Sequence, residues 1–464
     1  MAGIKIEVDK RVLISGATIV TMNPKRDVLV DQDILIVGDR IEDIGKLDGM
    51  SEEVDEVILA AGQIVIPGLI QTHLHLTRTL FRNLVADKNL NQWLDIIQSL
   101  EAAHDRDSNY WASMLGIAEL FLGGTTAIYD MEADQYTDSA FEAIAQTGIR
   151  AFSGKRMTDK LYTGVKYTEK TVGSADIVFE ESLHLFEKWD GRDGGRIRYC
   201  FCPASAITCS EKLLRMAADF SSKYGARVHI HASEIKEEET IIMKHTGMRV
   251  IDYLDSVGLV NDRTVLAHCV HVDNHEIKMI AKRGAHVAHC PTANLYLASG
   301  IAPIPKMIEH GVNIGLGADN AADHTNMDVF QEMKLAAFVQ KGVHMHPTIQ
   351  PNAQKTFEMA TLGGARALGL EKLIGSIEIG KKADLAIVDL RKPHAWPSAA
   401  QLNEEPNIYR RIVYSAKSSD VVLTMVNGRI VMKDGELLSM DRNEVLKSSN
   451  DAIMRLLERA GITR

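Results

Sequence analysis

Hydrophobic and polar positions alternate in short runs over residues 11–66, the period-two signature of half-buried strands. The runs fall at 12–14, 18–21, 33–37, 40–44 and 57–59, separated by turn material such as Asn23-Pro24 and Gly38-Asp39-Arg40. The same texture returns at 383–389, 421–426 and 429–433, where Asn427-Gly428 joins two apolar runs as a hairpin turn. Two β segments at opposite ends of the chain predict one small β-sandwich built from both termini, with a single domain inserted between them.

Between these ends, apolar β-rich runs alternate with helical stretches. The runs lie at 64–73, 125–130, 150–154, 196–202, 227–232, 264–270, 286–291 and 313–319, and amphipathic stretches occupy 210–224, 275–283 and 303–309. Strand–helix alternation of this kind predicts a (β/α)₈ TIM barrel. The alternative, a doubly wound open sheet, would carry a Gly-rich phosphate turn after an early strand, and the sequence has none. The predicted division is therefore 1–66 and 376–445 for the sandwich, 67–375 for the barrel and 446–464 for a C-terminal helix. A length of 464 residues accommodates this, since such barrels take about 250 residues.

Composition narrows the function classes. With 45% apolar, 25% charged and 6% aromatic residues the chain reads as an ordinary soluble globular protein. A formal net charge of −10 argues against nucleic acid or anionic membranes as partners. The 5 cysteines form no Cys-x-x-Cys pair, which predicts reduced, buried thiols. The N-terminus has no apolar signal region and no stretch approaches a membrane span, so a cytoplasmic protein is expected.

Candidate chemistry gathers at the C-terminal ends of the barrel runs, the rim where barrel enzymes keep their catalytic groups. The first run ends in His73-Leu74-His75, and alternate strand residues point to one side, so both imidazoles can reach one ion. With 17 histidines in the chain, and with His229-x-His231 and His344-x-His346 also present, the motif alone is weak. The fifth run ends His229-Ile230-His231-Ala232-Ser233-Glu234, the sixth His268-Cys269-Val270-His271, and the eighth Gly317-Ala318-Asp319. Each has a structural reading: a strand histidine can be a hydrogen-bonded core residue, Asp319 a helix cap, and Glu234 a solvated acid beside Glu237-Glu238-Glu239. His229 reads as support for the site, and His286, His289, His344 and His346 as structural. Taken jointly, the register of the others favours a metal site over scatter.

The segments PGLIQTHLHL, HIHASE, LAHCVH and GLGADN resemble the amidohydrolase superfamily in residues and in order. The closer likeness is to its aminohydrolase and chlorohydrolase branch, which holds deaminases of S-adenosylhomocysteine, methylthioadenosine and 5′-deoxyadenosine, guanine deaminase and s-triazine hydrolases. It runs over nearly the whole chain, including FEMATLGGARALGL and IGSIEIGKKADLAIVDL. The resemblance implies that His73, His75, His231 and Asp319 hold one divalent metal, usually zinc and sometimes iron, which lowers the pKa of a bound water. It implies that Asp319 also accepts the water's proton, that Glu234 protonates the substrate ring nitrogen and passes protons to the leaving amine, and that His268 orients the attacking group. The fourth run, RIRYCFCP, lacks the lysine that binuclear members carbamylate, which favours one metal. A small heterocyclic substrate and a homodimer or homotetramer are implied as well.

For the substrate, LTRTLFRNLVADKNLNQWL followed by SLEAAHD resembles adenosine-type deaminases, in which a glutamate grips the ribose hydroxyls. Glu101 falls near that place, with a helix-surface acid as its structural alternative, and Trp93 is either a substrate wall or a core anchor. Three segments depart from the pattern: Gln98-Ser99 before Glu101, Ala204 where a base-touching His or Arg often stands, and Asn320 to Asn326 after the metal aspartate. Lys155 and Arg156, just past the third run, read as solvated surface charge, with contact to an anionic substrate tail as the alternative. The expected function is hydrolytic deamination of a 5′-modified adenosine. Alternatives are a guanine-, pterin- or cytosine-type free-base deaminase, an s-triazine amino- or chlorohydrolase, and, from another class, a catalytically silent scaffold. Ligand completeness discriminates the last, and the full set is present.

Overall fold

A computed structural model describes residues 10–160, 172–324, 326–398 and 407–462; residues 1–9 and Thr325 of the segment after Asp319 lie outside them. Eight parallel strands follow one another in chain order around a barrel. They are β1 Leu69–Leu74, β2 Thr125–Glu132, β3 Arg150–Met157, β4 Ile197–Pro203, β5 Arg227–Ala232, β6 Thr264–His268, β7 His286–His289 and β8 Asn313–Leu316. Closure comes from a bridge between Leu74 and Asp319. The Asp319 N–H donates to the His73 carbonyl at 3.2 Å and the His75 N–H to the Asp319 carbonyl at 2.8 Å. The seam of the barrel thus runs through the predicted ligands. Ile70, Tyr129, Phe152, Cys200 and Val265 fill the interior, while the outward faces pack under helices. Strands buried on both faces read as near-continuous apolar runs, which is why they were visible in the sequence.

The run 64–73 is not one strand. Ile64–Pro67 pairs antiparallel with Leu385–Val388 in the terminal sheet, and only Leu69–Leu74 enters the barrel. Gly68 is the junction: a Cβ there would lie 2.1 Å from Thr126 Oγ1, so the chain passes where no side chain fits. Hydrophobic periodicity cannot register a change of sheet, because both halves are buried. The runs 264–270 and 313–319 also overshoot. The strands stop at His268 and Leu316 because His268, Cys269 and Asp319 take φ of 74°, 48° and 61°. Left-handed backbone at non-glycine residues costs about 1–3 kcal/mol each and concentrates at functional sites.

Among the described residues the terminal sheet has nine strands, five from the N-terminal segment and four from the C-terminal one. Runs 12–14 and 18–21 form one strand, Arg11–Val20, whose pairing register shifts on either side of Ala17, next to Gly16 at φ 75°. The sheet is continuous and folds over its own core of Ile14, Ile36, Val65, Leu385 and Leu423, so the two sandwich layers are arms of one hydrogen-bonded sheet. A buried ion pair, Arg150 Nε to Asp384 Oδ2 at 2.8 Å, ties the entry of β3 to it.

The predicted helices appear with identifiable caps: Glu211–Tyr224 behind Ser210, and Asn274–Arg283 behind Asp273 with Glu276 completing the capping box. Ile304–Glu309 forms a shorter one. The C-terminal helix runs Arg442–Arg459, with Asp441 as its cap. It packs along helix Arg106–Leu122, and its Ala452 and Leu456 belong to the same buried cluster as Trp93, Ile97 and Leu100 of helix Leu90–Glu101. Among the described residues no helix is long and apolar enough to cross a membrane.

Candidate active site

The ends of β1, β5, β6 and β8 bring His73, His75, His231, His268 and Asp319 to one point. The donor atoms of His73, His75 and Asp319, and likewise those of His73, His231 and His268, lie within 4.8 Å of one another. Asp319 Oδ1 is 3.3 Å from His73 Nε2 and 3.4 Å from His75 Nε2, and His231 Nε2 is 3.3 Å from His75 Nε2.

The other ring nitrogens are all tethered. His75 Nδ1 meets the Met131 carbonyl at 2.6 Å and His231 Nδ1 the Ala204 carbonyl at 2.7 Å. A carbonyl only accepts, so Nδ1 carries the proton in both and Nε2 keeps its lone pair. His73 Nδ1 bonds His229 Nε2 at 2.9 Å, and His229 in turn stacks on Tyr129 with ring centroids 4.5 Å apart. Burial holds His75 and His231 well below the ordinary histidine range, so the imidazoles are neutral. His73 Nε2 is buried with no hydrogen-bond partner among the described residues. Lone pairs of neutral imidazoles converging on a carboxylate, one of them orphaned, fit a divalent cation such as zinc.

Beside this cluster, His268 Nδ1 is held by Asn294 Oδ1 at 2.9 Å, and its Nε2 stands 3.7 Å from Glu234 Oε2 and 3.9 Å from Asp319 Oδ2. Glu234 is buried on the turn after β5, where Ser233 adopts φ 53°. Burial, reinforced by the negative charge of Asp319, raises its carboxyl above the ordinary value.

Glu234 is thus not the solvated acid of its structural reading, and Glu238 of the acidic run that follows is buried as well. Only 3% exposed, it accepts the Glu234 N–H at 3.1 Å and is pushed up to about 8 by burial. Folded protein therefore holds a proton here that the unfolded chain has lost between pH 4.5 and about 8. Stability must fall as pH rises through that window. Thermal unfolding of Glu238→Gln, followed over the same pH range, is expected to show a flatter profile than the parent; identical slopes would refute the assignment.

A cavity opens above the cluster. Trp93 and Ala204 line it, together with Arg78, Arg156 and Asp323. Glu101 does not. Its Oε1 accepts from Arg78 Nε at 2.7 Å and its Oε2 from Arg156 Nη2 at 2.8 Å, and these two cations hold the carboxyl at about 2 against the opposing effect of burial. The predicted ribose grip is thus a buried counter-ion behind the wall. Asn320 is also no wall residue: its Nδ2 donates to Asp319 Oδ1 at 3.0 Å and Asp323 Oδ2 at 2.6 Å, orienting both acids. Arg156, read as solvated charge, is 7% exposed and forked onto Asp134 at 2.8 Å. Lys155 is equally buried, bonded to the Asp134 carbonyl. Sequence reasoning passed over Arg78 altogether, although its place just after His75 was a positional clue. His286 is structural, bonded to Asn313 and the Asp262 carbonyl, and the cysteines are buried and unpaired.

A parallel barrel whose strand ends carry a His-x-His pair, a further histidine and an aspartate at the floor of a pocket defines a barrel hydrolase. The profile of the Amidohydrolase family matches residues 64–431, and the chain belongs to that family. It is 38% identical over 424 residues to the 5′-deoxyadenosine deaminase of Methanothermobacter thermautotrophicus, covering 91% of this chain and 94% of the relative. To the 5-methylthioadenosine/S-adenosylhomocysteine deaminase of Moorella thermoacetica it is 35% identical, over 94% of this chain and 97% of that one. A zinc-bound adenosine deaminase from Xanthomonas campestris superposes with a TM-score of 0.88 at 29% identity, over 96% of this chain and 98% of the other.

Proposed function

We propose that the protein is a metal-dependent hydrolytic deaminase of an amino-substituted N-heterocycle, acting on a 5′-modified adenosine to give the inosine analogue and ammonia. The observation that carries this reading is the convergence of the Nε2 atoms of His73, His75 and His231 and the Asp319 carboxylate at the cavity floor, with raised Glu234 beside them. Relatives named for 5′-deoxyadenosine and methylthioadenosine/S-adenosylhomocysteine deamination support the substrate class.

His73, His75, His231 and Asp319 would hold one divalent ion, zinc by analogy with the Xanthomonas structure. When bound, such an ion supplies Lewis acidity and a water of lowered pKa. Asp319 takes a proton from the attacking water. His268, whose Nδ1–H is fixed on Asn294 Oδ1, turns an Nε2 lone pair to the reaction centre and orients the water through its second hydrogen. Glu234, whose carboxyl burial raises, gives its proton to the ring nitrogen as the C–O bond forms. Its carboxylate then takes the remaining hydroxyl hydrogen as the C=O forms and passes it to the amine as the C–N bond breaks, and the proton held by Asp319 restores the acid. Water and the aminoheterocycle thereby become the oxo product and ammonia. The cytoplasmic homodimer or homotetramer of the family resemblance belongs to the same proposal.

Ammonia release by the metal-replete protein tests it, across 5′-deoxyadenosine, methylthioadenosine, S-adenosylhomocysteine, adenosine, guanine, cytosine and melamine. Turnover confined to the adenosine compounds is expected. Turnover of free bases or melamine alone would replace the substrate assignment, and no ammonia from any compound would end the deaminase reading.

A further inference from the structure

The wall of the cavity inverts the polarity that a ribose-gripping glutamate would give it. Glu101 faces away with both carboxylate oxygens occupied, while the guanidinium it braces lines the cavity. We infer that Arg78 reads the substituent on the heterocycle, donating from its terminal nitrogens to oxygen lone pairs there, with Glu101 as a positioning residue behind it. This rests on the deaminase reading and specifies the substrate further: an aminoheterocycle with a lone-pair-rich group such as a sugar, in place of a bare base.

Three features preorganise Arg78. The 3-10 segment Leu76–Phe81 leaves directly from His75, and the Leu76 N–H is anchored on Asp130 Oδ1 at 3.0 Å. Arg78 Nε is fixed on Glu101 at 2.7 Å, and its guanidinium lies 5.2 Å from the Trp93 ring centroid. The side chain is 5% exposed, and among the described residues its terminal nitrogens have no protein acceptor. Arg156, by contrast, is taken up by Glu101 and Asp134. A desolvated guanidinium with donors directed into a pocket favours an acceptor strongly, because hydrogen bonds to a buried cation are among the stronger ones. The chemical distinction is sharp: a carboxylate grip requires hydroxyl hydrogens, and a guanidinium requires only lone pairs.

The test compares 5′-deoxyadenosine with adenine in the metal-replete parent, Arg78→Met, Arg78→Lys, Glu101→Gln and the Arg78→Met/Glu101→Gln pair. Unfolding midpoint and metal content report folding, and Arg78→Lys keeps the charge if the methionine variant is unstable. The nucleoside-over-base preference in kcat/KM is expected to fall by about tenfold to a hundredfold in Arg78→Met, through KM, the range of a charged hydrogen bond. Arg78→Lys should fall between. The double variant should match Arg78→Met, since Glu101 acts through Arg78. Equal losses for nucleoside and base, a loss confined to kcat, or a further drop in the double variant each overturn the inference. If neither compound releases ammonia, the deaminase reading has failed separately. Calorimetric binding of the same two compounds then decides: a nucleoside preference in the parent that is reduced in Arg78→Lys and lost in Arg78→Met upholds the inference, and equal affinities or no binding in the parent overturn it.

Discussion

Replacing His73 by alanine is expected to strip the protein of its divalent metal and to lower turnover by about four orders of magnitude, the scale of losing the centre that activates the nucleophile. His73 is the residue on which the cluster depends: its Nε2 is buried without a partner, it belongs to both overlapping donor sets, and its carbonyl accepts the Asp319 N–H that closes the barrel. Behind it, His229→Ala is expected to cost about 10–100-fold in metal affinity or activity, because it removes the ring hydrogen-bonded to His73 Nδ1 that holds His73 in place. Metal analysis by mass spectrometry alongside ammonia release checks both. An alanine variant at position 73 that retained one equivalent of metal and full turnover would sink the mechanism.

The second large effect is at Glu234. Glu234→Gln preserves size and can still receive the Ser299 hydroxyl, which lies 3.4 Å from Oε1 in the parent, but an amide cannot cycle a proton. We expect kcat to fall about 10²–10⁴-fold with metal content unchanged. The pH dependence has a defined sign. Burial raises the Glu234 carboxyl, so the protonated acid persists above the ordinary carboxyl range and is lost as pH rises through the raised value. The parent's kcat should therefore decline on the alkaline side, and the residual activity of Glu234→Gln should lack that decline. Steady-state rates of both proteins over the pH range decide; a glutamine variant within about threefold of the parent kcat would exclude Glu234 as the proton carrier.

Much of this site was legible in the sequence because its donors sit at the ends of strands, and strands buried on both faces announce themselves as apolar runs. His73, His75, His231, His268 and Asp319 could thus be placed on one rim before any contact was known. The substrate side was not legible in the same way. Glu101 matched a family position, yet a match cannot show whether a carboxylate faces the cavity or two arginines. Lys155 and Arg156 looked like surface charge because charged residues usually are, and a buried one is recognisable only with its partner. For Arg156 those partners, Glu101 and Asp134, lie 55 and 22 residues away in the chain.

What the sequence determined by itself was whatever depends on near neighbours: strand and helix periods, caps such as Ser210 and Asp273, and the order of donors along the barrel. The tertiary structure alone decided that residues 64–73 divide between two sheets at Gly68, that β6 and β8 end in left-handed turns carrying His268 and Asp319, and that Arg78 stands before Glu101 at the wall. The physical reason is common to all three. Steric exclusion, strain that surrounding contacts must hold, and the burial of a charge are each fixed by atoms distant in the chain, which no local pattern encodes.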